Sequence, residues 1–122
     1  VAAGRVLVIE DNLENLTLIV DVLYSLEYEV LQAKDGLQGI RLAEIEMPDI
    51  ILLDLSLPRM DGWTVARKIK AQQSLQHIAI IALTAHAMIG DKERALEAGC
   101  DDYISKPINL ELLAAKLKNY ME

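Results

Sequence analysis

The chain has 122 residues, 52% of them hydrophobic and 25% charged, and a formal net charge of −7. That length and mixture belong to one soluble domain, expected to span residues 1–122, with enough apolar content for a core without disulfides. The acidic balance excludes direct nucleic-acid binding or an anionic-membrane surface. The single cysteine, Cys100, fits a reducing compartment, and no apolar run has the length of a membrane span or signal peptide, so the expected location is cytoplasmic.

Arg5–Ile9 reads as a buried strand that runs into acid, Glu10-Asp11-Asn12. Asp11 or Asn12 can cap the helix that follows, which accounts for one of these polar residues and leaves the acidic pair largely unexplained. Residues 13–26 carry more apolar surface than one helical stripe needs, from Leu13, Leu16 and Leu18 through Leu26. The sheet and a neighbouring helix are expected to cover the surplus; a docking face for a partner is the second reading. Glu29–Ala33 is a short strand, Asp35-Gly36 a turn, and 37–46 an amphipathic helix that stops before Pro48.

Ile50–Asp54, the run Ile-Ile-Leu-Leu-Asp, reads as a strand buried on both faces and ending in a carboxylate. Burying an ionised group without a partner is expensive, so something cationic is expected beside Asp54. Turn chemistry fills 55–62, and a helix follows over 63–72, in which Trp63 reads as a core or boundary anchor. Residues 78–84 form a fourth apolar run ending in the Thr84 hydroxyl. The helix expected over 89–98 is weakly apolar, suits Gly99 as its C-terminal cap, and is the expected moving part. Asp102–Ser105 is the last strand, followed by Lys106-Pro107 and a final helix capped by Asn109.

Five alternations of strand and helix predict an α/β fold, a single doubly wound (βα)5 domain with a parallel sheet. In such folds the functional crevice lies beyond the carboxyl ends of the strands. Glu10, Asp11, Asp54, Thr84 and Lys106 all stand at those ends. Clustered carboxylates repel unless a cation joins them, and Mg²⁺ favours hard oxygen ligands shared with a phosphoryl group. Lys106 supplies positive charge able to pair with Asp54 at rest, Asp11 would bind metal directly, and Glu10 would act through a water. The Thr84 hydroxyl can donate to a phosphoryl oxygen. Phosphoryl transfer asks mainly for positioning and charge neutralisation, with Asp54 as the nucleophile.

The sequence resembles the receiver domain of two-component response regulators over essentially its whole length. The matching stretches are Val-Leu-Val-Ile-Glu-Asp-Asn at 6–12, Ile-Leu-Leu-Asp-Leu-Ser-Leu-Pro-Arg-Met-Asp-Gly at 51–62, Ala-Leu-Thr-Ala at 82–85, and Ala-Gly-Cys-Asp-Asp-Tyr-Ile-Ser-Lys-Pro at 98–107. The Glu-Asp-Asn form with Asn15 looks most like receivers of hybrid kinases and stand-alone phosphorelay receivers. The resemblance implies a flavodoxin-like strand order 2-1-3-4-5. It implies that Asp54 accepts a phosphoryl group from a histidine kinase or histidine phosphotransfer protein. Glu10, Asp11, Asp54 and the Ser56 carbonyl would hold Mg²⁺, with Mn²⁺ able to substitute. Thr84 and Tyr103 would be switch residues, Lys106 the site lysine, and Ser56 and His86 the residues that tune phosphoryl lifetime. The bond before Pro107 would be cis. The implied role is a signalling phosphoacceptor, not an enzyme proper, although it promotes its own Mg²⁺-dependent phosphorylation and dephosphorylation. It would control a downstream protein or an attached output domain.

Three other readings are weaker. A flavin binder of this architecture needs a phosphate cradle where Glu10-Asp11 stands. A haloacid-dehalogenase-type phosphatase needs a second Asp where Ser56 stands. A degenerate receiver acting only as an interaction module would usually lack one of the five site side chains, and none is missing.

Overall fold

The computed structural model describes residues 4–85 and 91–121. Strands β1 (Arg5–Ile9), β2 (Glu29–Ala33), β3 (Ile50–Asp54), β4 (Ala79–Thr84) and β5 (Asp102–Ser105) alternate with helices α1 (Leu13–Ser25), α2 (Gly36–Glu46), α3 (Gly62–Lys70), α4 (Asp91–Glu97) and α5 (Leu110–Met121). The strands form one parallel sheet in the order β2-β1-β3-β4-β5, as the resemblance implies.

The apolar runs sort by the two-residue period of a strand into two cores. Leu7, Ile9, Ile51, Leu53, Ile80 and Ala82 point to the face packed by α2, α3 and α4. Val6, Val8, Ile50, Leu52, Ile81 and Leu83 point to the face packed by α1 and α5. A strand buried on both faces can therefore be apolar throughout, and all five residues of β3 are buried.

Side-chain caps set the helix starts. Asn12 accepts from the Asn15 amide at 3.0 Å and caps α1, which leaves Asp11 free of that task. Asp35 does more than mark a turn, since it caps α2 and Gly36 is already helical. Asp61 caps α3 by accepting from the Thr64 amide at 2.9 Å, so that helix begins and ends earlier than 63–72. Gly99, at φ +105, closes α4 through Gly99 N–H to Leu96 O and Cys100 N–H to Ala95 O, a Schellman arrangement.

The surplus apolar surface of α1 is only partly covered. Leu16, Ile19, Val20 and Leu23 are buried, whereas Leu13 is 67% and Leu18 47% exposed. The sheet and its neighbouring helix therefore cover only part of the surplus expected to lie against them.

Candidate functional site

Register assembles the site. Ile9 pairs with Leu53 across β1 and β3, so the next residues, Glu10 and Asp54, emerge side by side where strand order reverses. Thr84 pairs with Ser105 across β4 and β5, and Lys106 follows directly. The Lys106–Pro107 bond is cis.

Glu10, Asp54 and Thr84 are the buried polar residues among those described, at 0%, 1% and 5% exposure. Asp11 is exposed, yet ligand oxygens of Glu10, Asp11 and Asp54 all lie within 4.8 Å of one another. The Ser56 amide donates to Asp54 Oδ1 at 3.0 Å, and Lys106 Nζ lies 3.3 Å from the same oxygen. Lys106 Nζ is closer to Glu10 Oε1, at 3.0 Å, so the lysine pairs with both carboxylates and not with Asp54 alone. The Asn12 amide reaches Glu10 Oε2 at 3.3 Å. Glu10 Oε1 is buried and makes no hydrogen bond, only the ion pair.

Burial, and then the neighbouring Asp54 carboxyl, push Glu10 up to about 7, against the pull of Lys106. Burial alone would lower the Lys106 ammonium; Glu10 and Asp54 outweigh it and hold the group above its ordinary value. Three carboxylates with an under-bonded buried oxygen and one lysine form a hard-oxygen pocket short of positive charge. A divalent cation fits that donor set.

Tyr103, on β5, is half-buried against the core on the α2, α3 and α4 face, with Lys92 Nζ 5.8 Å from its ring centroid. His86 lies outside the described residues. Trp63 is more than an anchor: it packs on the same core and carries the Arg94 guanidinium 4.6 Å above its ring. The partners stand far apart in sequence, so no local pattern signals either ring–cation pair. The described residues include no helix long and apolar enough to cross a membrane.

Residues 6–118 match the model of the response regulator receiver domain family. The chain is 40% identical over 116 residues to the polar-differentiation response regulator DivK of Brucella ovis, covering 95% of this chain and 94% of that protein. Among solved structures it is 42% identical, with a TM-score of 0.91 and 98% of each chain covered, to the receiver domain of the sensor histidine kinase PA1611 from Pseudomonas aeruginosa, which has a magnesium ion coordinated in its active-site cleft. It is 30% identical, with a TM-score of 0.87, to the receiver domain of a Saccharomyces cerevisiae response regulator co-crystallised with a histidine phosphotransfer protein, covering 95% of this chain and 87% of that one. This chain belongs to the response regulator receiver domain family and is a receiver of two-component and phosphorelay signalling.

Proposed function

We propose that Asp54 is the phosphoacceptor and that this one receiver unit, residues 1–122, is phosphorylated by a histidine kinase or histidine phosphotransfer protein. One observation carries the reading: a buried carboxylate at the tip of the central strand, held by the Ser56 amide and Lys106 within a three-carboxylate cluster. Such a group is costly for the fold and useful for chemistry. An Asp54 oxygen attacks phosphorus, the P–O bond forms, the P–N bond to the donor imidazole breaks, and its electron pair returns to the ring nitrogen.

Glu10, Asp11, Asp54 and the Ser56 carbonyl would hold Mg²⁺, which would supply positive charge to offset that of the phosphoryl oxygens. Lys106 orients the same oxygens, and its pairing with Glu10 and Asp54 keeps it in place before transfer. Thr84 and Tyr103 act as the switch. Phosphorylation adds charge and acceptor oxygens at Asp54 and favours the conformer in which Thr84 and Lys106 close on them. Ser56 and His86 tune the lifetime of the phosphoryl group, and the same residues that promote phosphorylation serve its hydrolysis. Exposed Leu13 and Leu18, on the helix that begins beside the acidic pair, offer the donor an apolar surface. The relative solved with its phosphotransfer partner supports that class of donor. The output is a downstream protein or attached domain, in the cytoplasm.

The test is intact mass after treatment with acetyl phosphate and Mg²⁺, on the native chain and Asp54→Asn. A gain of one phosphoryl group that needs both the metal and Asp54 is expected. A folded native chain that gains nothing from acetyl phosphate or from a phosphohistidine donor would overturn the proposal.

A further inference from the structure

We propose a second mechanical link from Asp54 to α4, running through the first turn of α3 and the contact between Trp63 and Arg94, and independent of Thr84 and Tyr103. It rests on the reading of Asp54 as the phosphoacceptor. The link begins at the backbone of the central strand. The Ser56 amide donates to Asp54 Oδ1 at 3.0 Å, so a phosphoryl group on that carboxylate would change the bonding that shapes residues 54–56. Gly62 lies directly against this backbone, where a Cβ would stand 2.6 Å from both Asp54 O and Leu55 Cα. The Gly62 amide also donates to Leu55 O at 3.2 Å. Close contact transmits a push and the hydrogen bond a pull, so residues 54 and 55 cannot shift without Gly62.

The first turn of α3 moves as one piece. Asp61 Oδ1 accepts from the Thr64 amide at 2.9 Å, and the Thr64 hydroxyl donates to Asp61 Oδ2 at 3.3 Å. Those two bonds bracket Gly62 and Trp63, so a displaced glycine carries the indole with it. Trp63 packs on the core shared by α2, α3 and α4 and holds the Arg94 guanidinium 4.6 Å above its ring. Arg94 joins no ion pair among the described residues, so the ring is where its charge is held. Ala95 is the buried side chain of α4 among those described, and one small residue does little to resist a change at the ring. Movement of Trp63 therefore loosens the guanidinium, and α4 loosens with it. Thr84 lies on β4 and Tyr103 on β5, so neither stands in this chain of contacts.

The experiment follows fluorescence emission and intact mass together during treatment with acetyl phosphate and Mg²⁺, since the chain has one tryptophan. An emission shift that tracks the phosphorylated fraction is expected, absent with Mg²⁺ alone and in Asp54→Asn. Thr84→Ala should keep that shift. In the same variant, amide exchange in α4 should quicken on phosphorylation by about two- to fivefold, the size of one exposed ring–cation contact. Adding Arg94→Gln to Thr84→Ala should abolish the exchange response and most of the shift, because no guanidinium is left to leave the ring. Full mass gain with unchanged emission would overturn the link while leaving the phosphoacceptor in place. So would a shift that vanishes in Thr84→Ala, or one as large without Arg94 as with it. A folded chain that gains no mass from acetyl phosphate or a phosphohistidine donor would overturn both.

Discussion

Lys106 Nζ lies 3.0 Å from Glu10 Oε1 and 3.3 Å from Asp54 Oδ1, so one ammonium bridges two buried carboxylates. It compensates them incompletely, since burial and then Asp54 still raise Glu10 from 4.5 to about 7. The folded chain therefore keeps a proton on Glu10 that the unfolded chain has lost, and stability falls as pH rises between those values. A metal held by this cluster would compete for the same carboxylate in its ionised form. Mg²⁺ affinity, measured by calorimetry, should rise by up to about tenfold per pH unit below 7 and level off above it. Glu10→Gln should remove that pH step. A flat profile in the native chain would contradict the coupling.

Gly62 fixes the loop that follows Asp54. A Cβ there would stand 2.6 Å from Asp54 O and 2.6 Å from Leu55 Cα, both backbone atoms with no flexible end to yield. Gly62→Ala gains about 1 kcal/mol of helix propensity and loses about 1–3 kcal/mol to overpacking, so the net effect is destabilising. Gly39→Ala meets Ile9 Cδ1 and, at 2.8 Å, Ile9 Cγ1, a stiff side chain fully buried in the core, so it too should destabilise, though by side-chain and not backbone displacement, and less than Gly62→Ala. Urea titration should rank them in that order, and Gly62→Ala should also slow phosphorylation by displacing Asp54.

The strands and the residues at their tips were legible because a doubly wound sheet needs apolar runs, and functional groups gather where those runs end. Four strands begin and end where the runs do, while the fourth starts at Ala79 and not Ile78, whose amide closes a turn onto Leu75 O. Side-chain reach was less legible. A strand-end pattern places Glu10 and Lys106 in one crevice but does not say that they touch. Nor does periodicity report how much of α1 its neighbours cover, since that depends on where α5 and the sheet edge end. Pairs such as Trp63 and Arg94 arise only from tertiary packing.

Thr84 is 5% exposed at the end of β4, one residue past the Leu83 that pairs with Asp54. If its hydroxyl reads the phosphoryl group and does not help transfer it, Thr84→Ala should still gain one phosphoryl group in intact mass. Its affinity for a partner selective for the phosphorylated form should fall toward that of the unmodified chain. Unchanged partner affinity would remove Thr84 from the switch.

Asp102 and Lys116 tie β5 to α5 through a 2.8 Å ion pair, with Tyr120 O–H also donating toward Asp102 Oδ2. Burial raises the Asp102 carboxyl, but Lys116 and the Tyr103 amide outweigh it, so the net shift is downward from 3.8. A depressed carboxyl contributes stability above its unfolded value and loses it as pH falls through the folded one. Lys116→Met should therefore destabilise the chain at neutral pH, by about 1 kcal/mol or less for a partly exposed pair. The difference should shrink below pH 3.8 in denaturant titrations. A gap that persists in acid would point to lost packing of the lysine stem instead.

Arg94 holds α4 to α3 across the Trp63 ring at 4.6 Å, whereas Lys92 sits 5.8 Å from Tyr103, near the limit of an effective cation–π contact. Helix α4 is short, and Ala95 is its buried apolar contact, so a contact of about 0.5–1 kcal/mol is a large share of what anchors it. Arg94→Gln keeps a long polar side chain and removes the charge over the indole. It should shift Trp63 emission and speed amide exchange in α4, while global stability drops by no more than about 1 kcal/mol. Lys92→Gln should do less on every measure. If α4 must move for the switch, Arg94→Gln should also raise the phosphorylation rate with acetyl phosphate, because the loosened helix reaches the receptive conformer at lower cost. An altered emission spectrum with unchanged exchange and rate would make the contact a local ornament of Trp63, with no hold on α4.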